Sequence, residues 1–273
     1  MKERHVAIGV NVALALVAAA TVFPLAWMVS ASFMASGEAS SFPPPLLPQQ
    51  ATLEHYRALF QAGGIARQLL NSFVLASMAT GLSLAFNLTA GYAFAKLKFR
   101  GRDQVFKALL GALVIPSQVT MMPLFLMLKE MGLVNTMAGA LVPWLASVFG
   151  IFLVRQYARG LPDELLEAAR LDGASEARIF ASVVLPLLKP VIVTLAVLTF
   201  LGAWNDFMWP LIVLPDRDLQ TLPVALAGLS REHVQDTELM MAGAVVTVLP
   251  VLLLFLLLQR YYLQGLLMGS VKG

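Results

Sequence analysis

Long uncharged stretches alternate with short charged ones along the whole chain. No charged residue separates Arg4 from Glu38. A membrane-crossing helix needs about 20 apolar residues. Six windows meet that length: about 6–30, 72–94, 108–128, 133–154, 190–214 and 239–258. The first resembles a signal peptide, because Ala18-Ala19-Ala20 mimics a cleavage site. Its apolar run far exceeds the roughly 7–15 residues of a signal core, so it reads as an uncleaved span. The pattern predicts an all-α membrane protein of six transmembrane helices, one transmembrane domain over 1–273, with a charged loop at 155–189 between spans four and five.

Composition agrees. The chain is 59% hydrophobic and 13% charged, where soluble domains carry about 25% charge. With the N-terminus inside and the spans alternating, 14 of the 19 Lys and Arg fall on inner segments. That bias places both termini in the cytoplasm. The acids divide almost evenly, so they do not set the orientation. Prolines inside the spans (Pro24, Pro116, Pro123, Pro143, Pro210 and Pro250) predict bent helices. The outer stretch SSFPPPLLPQQ reads as a stiff extended spacer, followed by a short helix capped by Thr52. The basic stretch KLKFRGR, after span two, reads as a topology signal at the headgroups.

Several chemistries are excluded. There is no cysteine, and His5, His55 and His233 have no metal-ligand spacing. Neither H-E-x-x-H nor G-x-x-x-x-G-K-[ST] occurs, so the chain has no zinc-protease motif and no phosphate-cradling loop. Nothing points to nucleic acid. Asp206 is the one acid inside a span. Placed about 24 Å along its helix, it falls toward the outer leaflet. Asn205, Asp206 and Trp209 are expected to share a helix face. They and Asn87 of span two are candidates for a solute path, while Trp204 and Trp209 also read as interfacial belt residues. A stand-alone secondary transporter would want buried ionisable relays, and Asp206 alone does not supply them.

The charged loop reads as two short helices. Pro162 suits a first turn, and Asp163, Glu164 and Glu167 suit its dipole. Gly173 permits a left-handed stop, and Ser175 can cap the second helix. The exposed tip carries Glu167 and Arg170 among alanines, which allow close approach by another surface.

Here the residues resemble a family. Glu167-Ala168-Ala169, Gly173, Val183 and Leu185-Pro186 fit EAA-x3-G-x9-I-x-LP, with Val183 in place of isoleucine. This is the loop of binding-protein-dependent ABC importer permeases. Phe200-Leu201-Gly202-Ala203-Trp204-Asn205-Asp206-Phe207 and the ending Gln259-Arg260-Tyr261-Tyr262 to Gly273 are similar to the carbohydrate-uptake branch, in particular its maltose-type second permease. The resemblance implies that Glu167, Ala168, Ala169, Arg170, Asp172 and Gly173 form a coupling helix on a cytoplasmic ATPase. It also implies that Ser270, Val271, Lys272 and Gly273 reach between two ATPase subunits. The expected partners are two ATP-binding cassette subunits, a second homologous permease, an extracytoplasmic solute-binding protein and the lipid bilayer. The expected location is a bacterial-type cytoplasmic membrane, multi-pass. No cofactor is expected on this chain; ATP and Mg serve the partner ATPase. The expected solute is a di- or oligosaccharide, with glycerol phosphate or a monosaccharide derivative as the alternative.

Overall fold

A computed structural model describes residues 2–62, 64–232 and 236–268. Among them every regular element is helical. In chain order these are α1 (Lys2–Ala31), α2 (Glu54–Ala62), α3 (Ile65–Lys96), α4 (Arg102–Ala112), α5 (Ser117–Glu130), α6 (Met137–Leu141) and α7 (Val148–Arg159). They continue with α8 (Asp163–Leu171), α9 (Glu176–Ile179), α10 (Leu185–Leu187), α11 (Lys189–Trp204), α12 (Met208–Val213), α13 (Leu222–Glu232) and α14 (Thr237–Met268). A 3-10 turn (Val142–Trp144) follows α6, and a π turn (Phe180–Val184) joins α9 to α10.

Three helices are long and apolar enough to cross a membrane unbroken: 6–31, 65–96 and 237–257. Three further candidates are bent pairs. The α4 and α5 axes differ by 104°, α6 with its 3-10 turn and α7 by 44°, and the 176–187 segment and α11 by 80°. The proline expectation explains two of the breaks. Pro116 sits at the N-cap of α5, and Pro143 lies in the 3-10 turn. Neither supplies the N–H that an uninterrupted helix would use. The bend before α11 carries Pro190 in its first turn.

The chain divides into two compact units. One holds Met1–Arg67 with Leu222–Leu252, the other Gln68–Thr221 with Leu253–Gly273. In the first unit the proline-rich stretch is not a free spacer. Trp27 Nε1 donates to the Pro45 carbonyl at 3.0 Å, and Ser30 Oγ to that of Leu46 at 2.6 Å. The Glu38 carboxylate accepts the Ala35 and Gln49 amides. These bonds satisfy backbone groups that proline-rich chain cannot pair with itself. Thr52 Oγ1 accepts the amide of Glu54, the first residue of α2, from one position before the N-cap.

In the second unit the core lies beneath the charged loop. Leu88, Tyr92, Val154, Ala158, Leu166, Ile179, Val184 and Leu188 are all buried in one cluster. A second cluster joins Phe94, Phe106 and Ile151.

Candidate functional site

The loop after α7 is built upward from α3. Lys96, in the last turn of α3, donates from Nζ to the Leu161 carbonyl and to Asp163 Oδ1, each at 2.6 Å. Pro162 occupies the N-cap, one position earlier than its sequence suggested. One turn before Lys96, Tyr92 donates its hydroxyl to Glu176 Oε2 at 3.0 Å. Arg170 Nε donates to Glu176 Oε1 at 2.6 Å. Gly173 stands between α8 and α9 with φ +79, a conformation that costs other L-residues roughly 1–2 kcal/mol. Ser175 Oγ accepts the Arg178 amide at the start of α9.

Packing, not charge, holds this loop down. Leu166 and Ile179 are fully buried, and each is worth about 1.5–3 kcal/mol. The Arg170–Glu176 pair is 40% and 47% exposed, which limits such pairs to about 0–1 kcal/mol. It orients the tip. The Lys96 hydrogen bond holds the Asp163 carboxyl below the usual carboxylate range, and the Glu176 hydrogen bond raises the Arg170 guanidinium. What faces outward is Leu165, Glu167, Ala168 and, at 89% exposure, Leu171. A short helix with exposed leucines and an acid, fixed to a rigid base, is a surface shaped for a protein partner. Sequence reasoning placed Glu167, Ala168, Ala169, Asp172 and Gly173 here, and the structure gathers them. Arg170 is engaged within its own chain. Tyr92, Lys96 and Glu176 were missed as supports because no local pattern links residues so far apart. The tail residues Ser270, Val271, Lys272 and Gly273 lie outside the described residues.

The solute-path candidates do not form one face. Helix α11 stops at Trp204, and α12 begins at Met208. Asn205 closes α11, its Nδ2 donating back to the Leu201 carbonyl at 2.9 Å. Asp206 Oδ1 accepts the Trp209 amide at 3.4 Å, which starts a new helix and not a continuation. Trp204 and Trp209 are 1% and 2% exposed, so they are packed inside the protein and are not belt residues. Trp209 Nε1 donates to the Gly139 carbonyl. Asn87 is buried too: its Nδ2 donates to Ser83 Oγ, and its Oδ1 accepts the Ser147 amide at 2.9 Å, joining α3 to the start of α7.

Asp206 does reach a cleft, of about 400 Å³. Its other walls include Ser117, Gln118, Thr120, Trp144 and Trp209. The Trp144 ring lies flush on Gly202, where a Cβ would stand 2.9 Å from it. Sequence reasoning missed Ser117, Gln118, Thr120 and Trp144. They come from two other bent segments, and only the folded chain brings them to Asp206. The lining sets a carboxylate, an amide and hydroxyls among aromatic rings and the apolar Met121, Leu124, Pro143 and Met208, with no Lys or Arg.

Residues 87–267 match the family of binding-protein-dependent transport system inner membrane components. The chain belongs to that family. It is 38% identical over 266 residues to the arabinooligosaccharides transport system permease protein AraQ of Halalkalibacterium halodurans, covering 96% of this chain and 95% of that one. It is 32% identical over 262 residues to the melibiose/raffinose/stachyose import permease protein MelC of Bacillus subtilis, covering 95% and 94%. Its fold matches a chain in the crystal structure of a bacterial ABC transporter involved in the import of the acidic polysaccharide alginate. That match has TM-score 0.84 at 23% identity, over 96% of this chain and 98% of the other. The chain is thus a multi-pass ABC importer permease, a transmembrane subunit.

Proposed function

We propose that this chain is one permease subunit of an ATP-driven importer that carries a di- or oligosaccharide inward across the cytoplasmic membrane. The observation that carries the coupling half is the α8–Gly173–α9 corner, seated on Leu166 and Ile179 and presenting Glu167, Ala168 and Leu171 outward. The chain has no nucleotide-binding loop of its own. A separate pair of ATPase subunits, using ATP and Mg, drives the corner, and a second permease and an extracytoplasmic binding protein complete the complex. On this reading the three bent pairs each count as one span, giving six, with both termini inside as the basic residues favour.

The arabinooligosaccharide and melibiose/raffinose/stachyose relatives favour a sugar. So does the cleft chemistry. A neutral polyol meets hydroxyls, an amide and aromatic rings in a volume within the usual range for ligand pockets. A glycerol phosphate would meet Asp206 with no cation in the lining, and like charges repel. The solute path therefore runs past Asp206 and Trp144, while Asn87 and Asn205 hold helices.

The test is extraction of the tagged chain from its own membrane in mild detergent, followed by reconstitution. Co-extraction of an ATPase and a second permease, with ATP-dependent oligosaccharide uptake, supports the reading. Glu167→Lys should then thin the ATPase band. A chain that emerges alone and moves solute without ATP overturns it.

A further inference from the structure

A basic surface of the second unit lies at the α3–α4 connection, within the stretch KLKFRGR whose sequence reads as a topology signal. A shallow basin of about 670 Å³ is lined there by Lys98, Phe99, Arg100, Gly101, Arg102, Asp103 and Gln104. Lys98 and Arg100 are exposed, and neither makes a hydrogen bond or an ion pair among the described residues. The charge of Lys98 is felt by Asp163, which is already held by Lys96. Arg102 is committed to the Leu97 carbonyl and to Asp103 Oδ1. Behind them Arg155 lies 3.9 Å over the Phe106 ring, within electrostatic reach of Arg102, Arg159 and Asp103. Lys98, Arg100 and Arg102 thus crowd one basin whose lining holds a single carboxylate, Asp103, already paired with Arg102. Such crowding of like charge calls for an anion from outside the chain.

We propose that this basin binds the headgroup of an anionic phospholipid. The connector fixes the depth. Only residues 97–101 separate α3 from α4, so Lys98 and Arg100 stay within about 17 Å of the helix end that crosses the bilayer. That is the headgroup layer. Phe99, 44% exposed between the two cations, is placed to enter the boundary of the acyl chains while Lys98 and Arg100 hold the phosphate. The connector turns through Gly101 at φ +81, and Phe99 is braced 5.8 Å from the Phe94 ring, so the cations stand on a fixed platform. An acidic protein segment would also suit the charge. It fits less well on a connector too short to leave the membrane surface. This inference does not depend on which solute is carried.

The experiment is native mass spectrometry of the intact complex released from nanodiscs, made of phosphatidylcholine with or without phosphatidylglycerol. The wild-type complex should retain phosphatidylglycerol selectively. The double variant Lys98→Gln/Arg100→Gln should bind it about thirtyfold more weakly, since each membrane-facing cation contributes about fivefold. The charge-keeping variant Lys98→Arg/Arg100→Lys should retain it, which separates lost charge from lost folding. Lys129→Gln, remote in sequence, should also retain it. Equal retention by the double Gln variant overturns the proposal. So does loss of the ATPase subunit from that variant with lipid retention unchanged, which would make the basin a protein dock.

Discussion

Single residues carry the sharpest expectations. Gly173 holds φ +79, and its N–H donates to the Arg170 carbonyl. Proline can supply neither that angle nor that donor. Gly173→Pro should abolish ATP-driven uptake while membrane insertion and protein level persist; uptake at the wild-type rate would refute the proposed role of the corner. In the cleft, Trp144→Ala should raise KM for oligosaccharide uptake about tenfold or more, with a smaller change in the turnover of bound solute, because the ring is a wall of the proposed path and not a part of the coupling corner. Asp163 gives a pH expectation. Its folded pKa is depressed, so its bond to Lys96 stabilises the loop above the ordinary aspartate value of about 3.9 and is lost only as pH falls below that, through the folded value. Uptake measured between pH 5 and 8 should show no contribution from this pair.

Whole elements explain what was legible in the chain and what was not. The helix–Gly–helix corner could be read because every signal for it is local: acids at a helix start, Gly173 at φ +79, and Ser175 as a cap. The break after Trp204 could not. The run FLGAWNDFMWPL is apolar enough to continue as helix, and only the Asp206 carboxylate taking the Trp209 amide reveals a restart. The cleft lined by Ser117, Gln118, Thr120 and Trp144 was hidden for a related reason: those residues belong to bent segments, and periodicity does not say which way a bend turns. Helix α3 is the support common to the loop, through Tyr92 and Lys96. Lys96→Met should therefore lower coupling without lowering solute affinity. The check is the ratio of ATP hydrolysed to solute moved, which rises if the loop slips on its base.

For the whole molecule, the six-span reading with both termini inside is open to direct test, because the chain contains no cysteine. Single substitutions Lys107→Cys and Arg217→Cys should label with membrane-impermeant thiol reagents from opposite sides of the membrane. Labelling from the same side would overturn the topology. The seat of the corner has another consequence, for assembly. A nine-residue helix such as α8 is too short to persist alone in water, and here Leu166 seats it on Leu88, Tyr92 and Val154 of the same chain. The contacts that order this helix thus lie within the permease, which offsets the ordering cost that a flexible segment would incur on docking. A free peptide copied from residues 160–176 would lack that seat, and it should compete poorly for the ATPase cleft however faithful its sequence.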